Sequence, residues 1–97
     1  MDKEQFYLKL VEEECTEIAQ VCSKAIRFGI DNHPPNNPET TNRLRLQEEY
    51  NDLLATFTLL AKHCGIEVYF DNKLIAKKLE KVEKFKQYSI ELNKLKE

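Results

Sequence analysis

The chain has 97 residues, of which 41% are hydrophobic and 33% are charged, a composition typical of a single globular domain. Seventeen acidic residues against fifteen basic ones give a formal net charge of −2, which argues against a protein that binds nucleic acids or membrane surfaces through excess positive charge. No apolar run approaches the roughly 18–20 residues that a membrane-spanning helix needs.

The first predicted element is a long helix over residues 3–28, a stretch without glycine or proline. Its apolar residues Leu10, Ile18, Val21 and Ala25 recur at the spacing of one helical face. The first ten residues, MDKEQFYLKL, lack the basic and then apolar pattern of a secretory signal. We therefore expect an amphipathic helix in a cytoplasmic protein.

A loop over residues 29–41, GIDNHPPNNPETT, separates the first helix from the second. It contains all three prolines and most of the turn-forming residues, which break helices. A second helix is predicted over residues 42–64. Its expected end precedes Gly65 and follows Lys62 and His63, since glycine after basic residues is typical of a helix terminus.

A third helix is predicted over residues about 70–95, where apolar residues recur every three or four positions among lysines and glutamates. No stretch alternates as a β-strand does. The expected fold is therefore all-α, a helical bundle of about three helices per chain. Helices longer than the core of so short a chain leave apolar stripes exposed, so we expect oligomerisation to complete the bundle.

The three cysteines do not form a CxxC motif, and their number is odd. This usage favours free thiols in a reducing compartment over a disulfide framework. Cysteine without a nearby histidine behaves as a small apolar residue, so we expect Cys15, Cys22 and Cys64 to lie in the core.

Four acidic residues fall on or beside the apolar stripes of the first two helices. At about 100° per residue, Glu14 falls in the middle of the first stripe and Glu17 at its edge. Glu49 and Asp52 repeat the arrangement on the second stripe. The acids just outside the two stripes are Glu13 and Glu48. Two helices thus each offer a pair of carboxylates three residues apart.

Carboxylates that approach one another at buried surface need a compensating positive charge. Only Lys24 and Arg45 lie on the same flank of the two helices, too few cations for four to six acids. A divalent metal would compensate the charge, and oxygen ligands without histidine or cysteine favour Mg²⁺, or Mn²⁺ as a substitute. The predicted ligands are Glu14, Glu17, Glu49 and Asp52.

A carboxylate-bridged di-iron centre is a weaker interpretation of the same acids. That chemistry uses Glu-x-x-His on two helices, and neither His33 nor His63 lies three residues after a glutamate.

The acidic segments EECTE at residues 13–17 and EYND at residues 49–52 together resemble the E-E-x-x-E … E-x-x-D signature of MazG-like all-α nucleoside triphosphate pyrophosphohydrolases. The stretch EEYNDLLATFTLLAKHCGI is similar to the second helix of that family, and DNKL followed by KKLEKVEKF is similar to its helix bearing asparagine, lysine and arginine. The resemblance covers residues about 8 to 85. The gap between the acidic pairs is longer here, and lysine stands where arginine is often found.

The resemblance implies a four-helix core built by a homodimer or homotetramer, and Mg²⁺-dependent hydrolysis of a (deoxy)nucleoside triphosphate to the monophosphate and pyrophosphate. For this reaction we expect water to attack the α-phosphorus. A carboxylate that flanks the predicted ligands, either Glu13 or Glu48, would orient or deprotonate the water, and the sequence does not choose between the two. We expect the phosphate charge that the metal does not meet to be bound by Lys24, Lys73 and Lys77, with Asn72 as a neutral donor.

Several alternatives stay open at this point. Lys24 could instead pair with Glu17, and Arg45 could be the i,i+4 partner of Glu49. The chain as a whole could be a non-enzymatic helical interaction module with an acidic metal-binding patch. It could also be a phosphoribosyl-ATP pyrophosphohydrolase, an enzyme that shares the helices of this superfamily.

Overall fold

The computed structural model describes all 97 residues and contains three α-helices and no β-strand. The helices are α1 (Lys3–Phe28), α2 (Asn42–Cys64) and α3 (Asn72–Glu91). The prediction of an all-helical chain with three helices is confirmed, and α1 and α2 have the expected bounds. None of the three combines the length and the apolar character that crossing a membrane requires.

Local hydrogen bonds explain where α1 begins and ends. Asp2 and Gln5 form a capping box, in which each side chain accepts a hydrogen bond from the other residue's backbone N–H, at 2.8 and 2.9 Å. The helix ends at Gly29, whose φ of 101° is readily available only to glycine. The loop that follows is therefore free to turn back towards α2.

α1 and α2 form an antiparallel hairpin. Near its open end, the Cys64 thiol lies 3.8 Å from a carboxylate oxygen of Glu4. At the loop end, the side-chain amide of Asn42 donates to the Gly29 carbonyl at 2.9 Å. These contacts join the start of each helix to the end of the other, so the acidic segments of α1 and α2 lie at similar heights in the hairpin.

The buried core of one chain is small and lies between α1 and α2. Its apolar members are Val21, Leu60 and Ala61. The expectation that the cysteines lie in this core is wrong, because all three are exposed. α1 and α2 share only one face, and the cysteines lie off that face or, in the case of Cys64, at the last residue of α2.

α3 stands apart from the hairpin. No Cα atom of α3 lies within 8 Å of one in α1 or α2, and the apolar residues of the helix stay open to solvent, with Leu79 64% and Phe85 70% exposed. The helix begins at residue 72 because Asp71 caps it, accepting hydrogen bonds from the backbone of Lys73 and Leu74 at 3.0 Å. It ends at residue 91, short of the expected 95, and Asn93 beyond it adopts a left-handed φ of 59°.

The separated helix gives the chain an open shape. Its accessible surface is 8308 Å², whereas a compact monomer of this mass exposes about 5,800 Å². Its Cα radius of gyration is 17.1 Å, against about 12.5 Å for a compact domain of this length. One chain alone therefore leaves uncovered an apolar area that folding normally removes from water.

Candidate functional site

Three carboxylates converge between α1 and α2. Glu14 and Glu17 lie three residues apart on α1, and Glu49 faces them from α2. One oxygen from each of the three lies within 4.8 Å of the others. We call Glu14, Glu17 and Glu49 the carboxylate cluster. The cluster exists because an i,i+3 pair on one helix shares a face and the antiparallel hairpin brings the acidic segment of α2 opposite it.

Two oxygens of the carboxylate cluster are buried without any hydrogen-bond partner. They are the Oε2 atoms of Glu14 and Glu49, whose side chains are half-buried, whereas Glu17 is exposed. A buried acceptor that forms no hydrogen bond costs about 1–3 kcal/mol. The two atoms are thus available to a ligand that donates a proton or carries positive charge.

The crowding of these acids shows in their pKa values. The pKa of Glu49 is raised to about 7. The largest cause is the Glu17 carboxyl, which lies close enough to share a proton with Glu49. Burial and the negative charges of Glu17 and Glu14 raise the pKa further. The pKa of Glu14 is also raised, first by burial and then by the charges of Glu17 and Asp52. The metal-free cluster therefore holds a proton more readily than ordinary glutamates do.

The other predicted acids lie beside the carboxylate cluster and not within it. Asp52 is not one of the three converging residues, but its charge reaches Glu14 and helps to raise that residue's pKa. Glu13 and Glu48 are exposed and adjoin Glu14 and Glu49 in the chain. The structure thus brings together three of the four predicted ligands.

No basic side chain neutralises the carboxylate cluster. The ion pairs of the structure lie elsewhere, and they are Lys9–Glu12, Arg43–Asp31 and Lys84–Glu80. The alternative pairings of Lys24 with Glu17 and of Arg45 with Glu49 are therefore not formed.

Neither histidine joins the carboxylate cluster. The His63 ring packs against Tyr7, with ring centroids 5.4 Å apart, and His33 forms a hydrogen bond with the Pro34 carbonyl at 2.8 Å. The donor set is therefore carboxylate oxygen alone, which suits hard divalent cations as a class and does not suit the mixed imidazole and carboxylate set of a di-iron centre.

The residues predicted on the third helix lie away from the carboxylate cluster. Asn72, Lys73 and Lys77 are exposed in the first turns of α3, and α3 does not approach the hairpin that carries the cluster. Within one chain they therefore do not reach it.

A cavity of about 230 Å³ lies at the loop end of the hairpin. Its lining includes Arg45 and Phe28. It also includes Lys24, which the sequence analysis predicts to contact substrate phosphates. Sequence reasoning missed His33 and Asn42, which also line the cavity. No local pattern marks these two residues, because they meet the others only when the loop folds back onto the start of α2.

Comparison with known proteins does not assign the chain to a family. No family model matches it, and no curated protein or solved structure is significantly similar to it.

Proposed function

We propose that this chain is a divalent-metal-dependent nucleoside triphosphate pyrophosphohydrolase of the MazG-like kind. The observation that carries the proposal is the carboxylate cluster with its two buried, unpartnered oxygens. The acidic signature at residues 13–17 and 49–52 supports the same function through its resemblance to that family.

Glu14, Glu17 and Glu49 hold the metal in this proposal, and Asp52 lies beside them as a further ligand. The donors are oxygens of the type that Mg²⁺ and Mn²⁺ accept. The bound ion supplies positive charge that neutralises the triphosphate and lowers the pKa of a bound water. Binding it also gives the orphaned oxygens of Glu14 and Glu49 a partner, which turns an unfavourable arrangement of the free protein into an affinity for cations.

The proposed reaction is hydrolysis at the α-phosphorus. A bond forms between the water oxygen and this phosphorus, while the bond to the bridging oxygen breaks and leaves its electron pair on pyrophosphate. The water proton passes to a carboxylate, for which Glu13 and Glu48 are the candidates. Both are exposed and adjoin members of the carboxylate cluster, so each can carry the proton out to solvent.

The active protein is a homodimer or a homotetramer in this proposal, with a four-helix core completed by a second chain. The support is the accessible surface of one chain, which exceeds that of a compact monomer of the same mass by about 2,500 Å². Two chains together therefore expose about 5,000 Å² more than expected, at the upper end of the roughly 2,000–5,000 Å² that permanent homodimers bury. The apolar face of α3 is the surface to be covered. Asn72, Lys73 and Lys77 then bind phosphates at the carboxylate cluster of a neighbouring chain.

Activity is tested by incubating the protein with a panel of ribo- and deoxyribonucleoside triphosphates, and separately with phosphoribosyl-ATP, in the presence of Mg²⁺. The expected products are the monophosphate and pyrophosphate in equal amounts, resolved by ion-exchange chromatography. Glu49→Gln should abolish turnover, whereas Glu12→Gln, on the exposed side of α1, should retain it. Release of a diphosphate contradicts the mechanism. Turnover of phosphoribosyl-ATP alone favours that related enzyme, and inactivity on every substrate favours a helical interaction module.

Assembly is tested by light scattering coupled to size-exclusion chromatography. Wild type should have two or four times the monomer mass of 11.5 kDa. Leu79→Glu places a charge on the apolar face of α3 and should give monomers or weaken association. Glu80→Gln is the matched control, because it changes a neighbouring exposed residue off that face. A monomeric wild type, or equal masses for both variants, contradicts the proposed assembly.

A further inference from the structure

The cavity at the loop end of the hairpin has a lining without any acidic residue. It lies between the last turns of α1, the proline-containing loop and the first turn of α2. The lining residues that matter for its chemistry are Lys24, Phe28, His33, Asn42 and Arg45. In a chain with more acids than bases, a concave surface of this composition is a local positive region.

Two cations of the cavity are free of carboxylate partners. Neither Lys24 nor Arg45 belongs to an ion pair, although Arg45 is half-buried. Arg43, two residues earlier on α2, differs in this respect, because its guanidinium donates to both carboxylate oxygens of Asp31 at 2.8 and 3.2 Å. The positive end of the α2 dipole and the negative end of the α1 dipole meet in this region and offset each other, so the positive charge of the cavity comes from the two side chains.

The cavity is held open by the backbone of the loop. The backbone N–H groups of Asn42 and Arg43 donate to the carbonyls of Asn32 and Ile30 at 3.0 and 2.8 Å. Asn42 is 6% exposed, and its side-chain amide donates to the Gly29 carbonyl at 2.9 Å. A loop pinned at three points onto α2 keeps the two cations facing a common space, which reduces the ordering that a ligand must induce.

The size and position of the cavity indicate what it takes. Its volume of about 230 Å³ is below the roughly 300–1,000 Å³ of sites that enclose a whole drug-sized ligand, so it fits one part of a ligand. Arg45 lies four residues before Glu49 on α2, which is about 6 Å along the helix axis. One extended molecule can therefore occupy the carboxylate cluster and the cavity together.

We propose that this cavity binds phosphate groups through Lys24 and Arg45. Charge-assisted bonds from ammonium and guanidinium groups are among the strongest that proteins make to phosphate oxygens. The assignment of these groups as the terminal phosphates of the substrate rests on the proposed function. With the α-phosphorus at the carboxylate cluster, the departing pyrophosphate lies towards the cavity, and Lys24 and Arg45 meet the charge that accumulates on it.

Pyrophosphate binding in the presence of EDTA tests the cavity without the metal or the reaction. Isothermal titration calorimetry gives the affinity of the whole protein for pyrophosphate. In ¹H–¹⁵N spectra, pyrophosphate should shift the Asn42 side-chain amide and the backbone amides of residues 28–35. Lys24→Gln and Arg45→Gln should each weaken binding by about tenfold or more. Arg43→Gln removes a cation of the same helix that is already paired and should change the affinity less than twofold.

Several outcomes overturn the inference. One is an equal loss of affinity in Arg43→Gln and Arg45→Gln, which indicates general charge attraction. Another is the absence of shifts at Asn42 in wild type, a result that does not depend on how well a variant folds. A third is that an uncharged deoxynucleoside gives the same shifts as pyrophosphate, which would make the cavity a nucleobase site.

The triphosphate assay separates this inference from the proposed function. If pyrophosphate binds at the cavity but the protein hydrolyses no triphosphate, the phosphate site is supported. Only the assignment of the bound phosphates as the leaving group of the reaction is then lost. If the protein hydrolyses triphosphates but its Lys24→Gln and Arg45→Gln variants bind pyrophosphate as tightly as wild type, the proposed enzyme is supported and the phosphate site is overturned.

Discussion

Replacing Glu49 by glutamine should stabilise the metal-free protein at pH 8 and stabilise it several-fold less at pH 5. The substitution keeps the shape of the side chain and removes one charge from the carboxylate cluster. At pH 5 the wild-type residue is already neutral in the folded state, because its pKa is raised to about 7. At pH 8 it is ionised beside Glu14 and Glu17, and the glutamine is not.

The magnitude follows from the displaced pKa. Between the ordinary value of 4.5 and about 7, the folded state keeps a proton that the unfolded chain has lost. The stability linked to this proton is fully present below pH 4.5 and is lost as the pH rises through 7. The full shift corresponds to about 3 kcal/mol. Partial exposure of Glu49 and screening by solvent reduce the expected gain at pH 8 to about 1–2 kcal/mol.

Urea denaturation followed by circular dichroism measures this gain, in EDTA and at one protein concentration because association also changes apparent stability. Glu48→Gln is the matched control for stability, since Glu48 is exposed and next in the chain, and it should change the free energy of unfolding by less than about 0.5 kcal/mol. A gain of equal size at pH 5 and pH 8, or a loss at pH 8, would show that the three carboxylates do not crowd one another as argued.

Three further outcomes are expected. Mg²⁺ at about ten times its dissociation constant should stabilise wild type by roughly 1.4 kcal/mol at pH 8, and thermal melts should show a far smaller effect in Glu49→Gln. Equal melting temperatures of wild type in Mg²⁺ and in EDTA would contradict a cation site. Asn42→Ala should cost about 0.5–1.5 kcal/mol in urea denaturation, because the Gly29 carbonyl loses a part-buried partner and keeps only the backbone N–H of Asn32. Asn51→Ala removes only an exposed bond within α2 and should cost less, so similar costs for both would refute the anchoring of the loop by Asn42. Gly65→Ala should cost about 1–2 kcal/mol through its φ of 70° alone, since no atom lies within 4 Å of the added Cβ; an unchanged melting temperature would contradict this.

The helices were predictable because their signals are local. The bounds of α1 and α2 follow from the absence of helix breakers, from the proline-containing loop and from Gly65, whose left-handed backbone ends α2. The bounds of α3 were less accurate, since its apolar spacing continues beyond both ends. Asp71 and Asn93 set those ends through cap and backbone conformations that apolar periodicity does not report.

The carboxylate cluster was predictable for a related reason. Helical spacing places Glu14 and Glu17 on one face, and the apolar stripe of each helix indicates which face is buried. What spacing cannot give is the distance between helices. Asp52 belongs to the same pattern as Glu49, yet only Glu49 joins Glu14 and Glu17 in a group whose oxygens all lie within 4.8 Å of one another, because the packing of α2 against α1 decides which acids converge.

The amino-acid sequence by itself determined the three helices, the loop and the side of each helix that carries the acids, since these depend on residues within a few positions of one another. Only the tertiary structure decided that two carboxylate oxygens are buried without partners, that Lys24 and Arg45 share a cavity with His33 and Asn42, and that α3 stays apart from the hairpin. These features join residues distant along the chain. They depend on how the loop folds back and how far the helices lie apart, quantities that local sequence patterns do not contain.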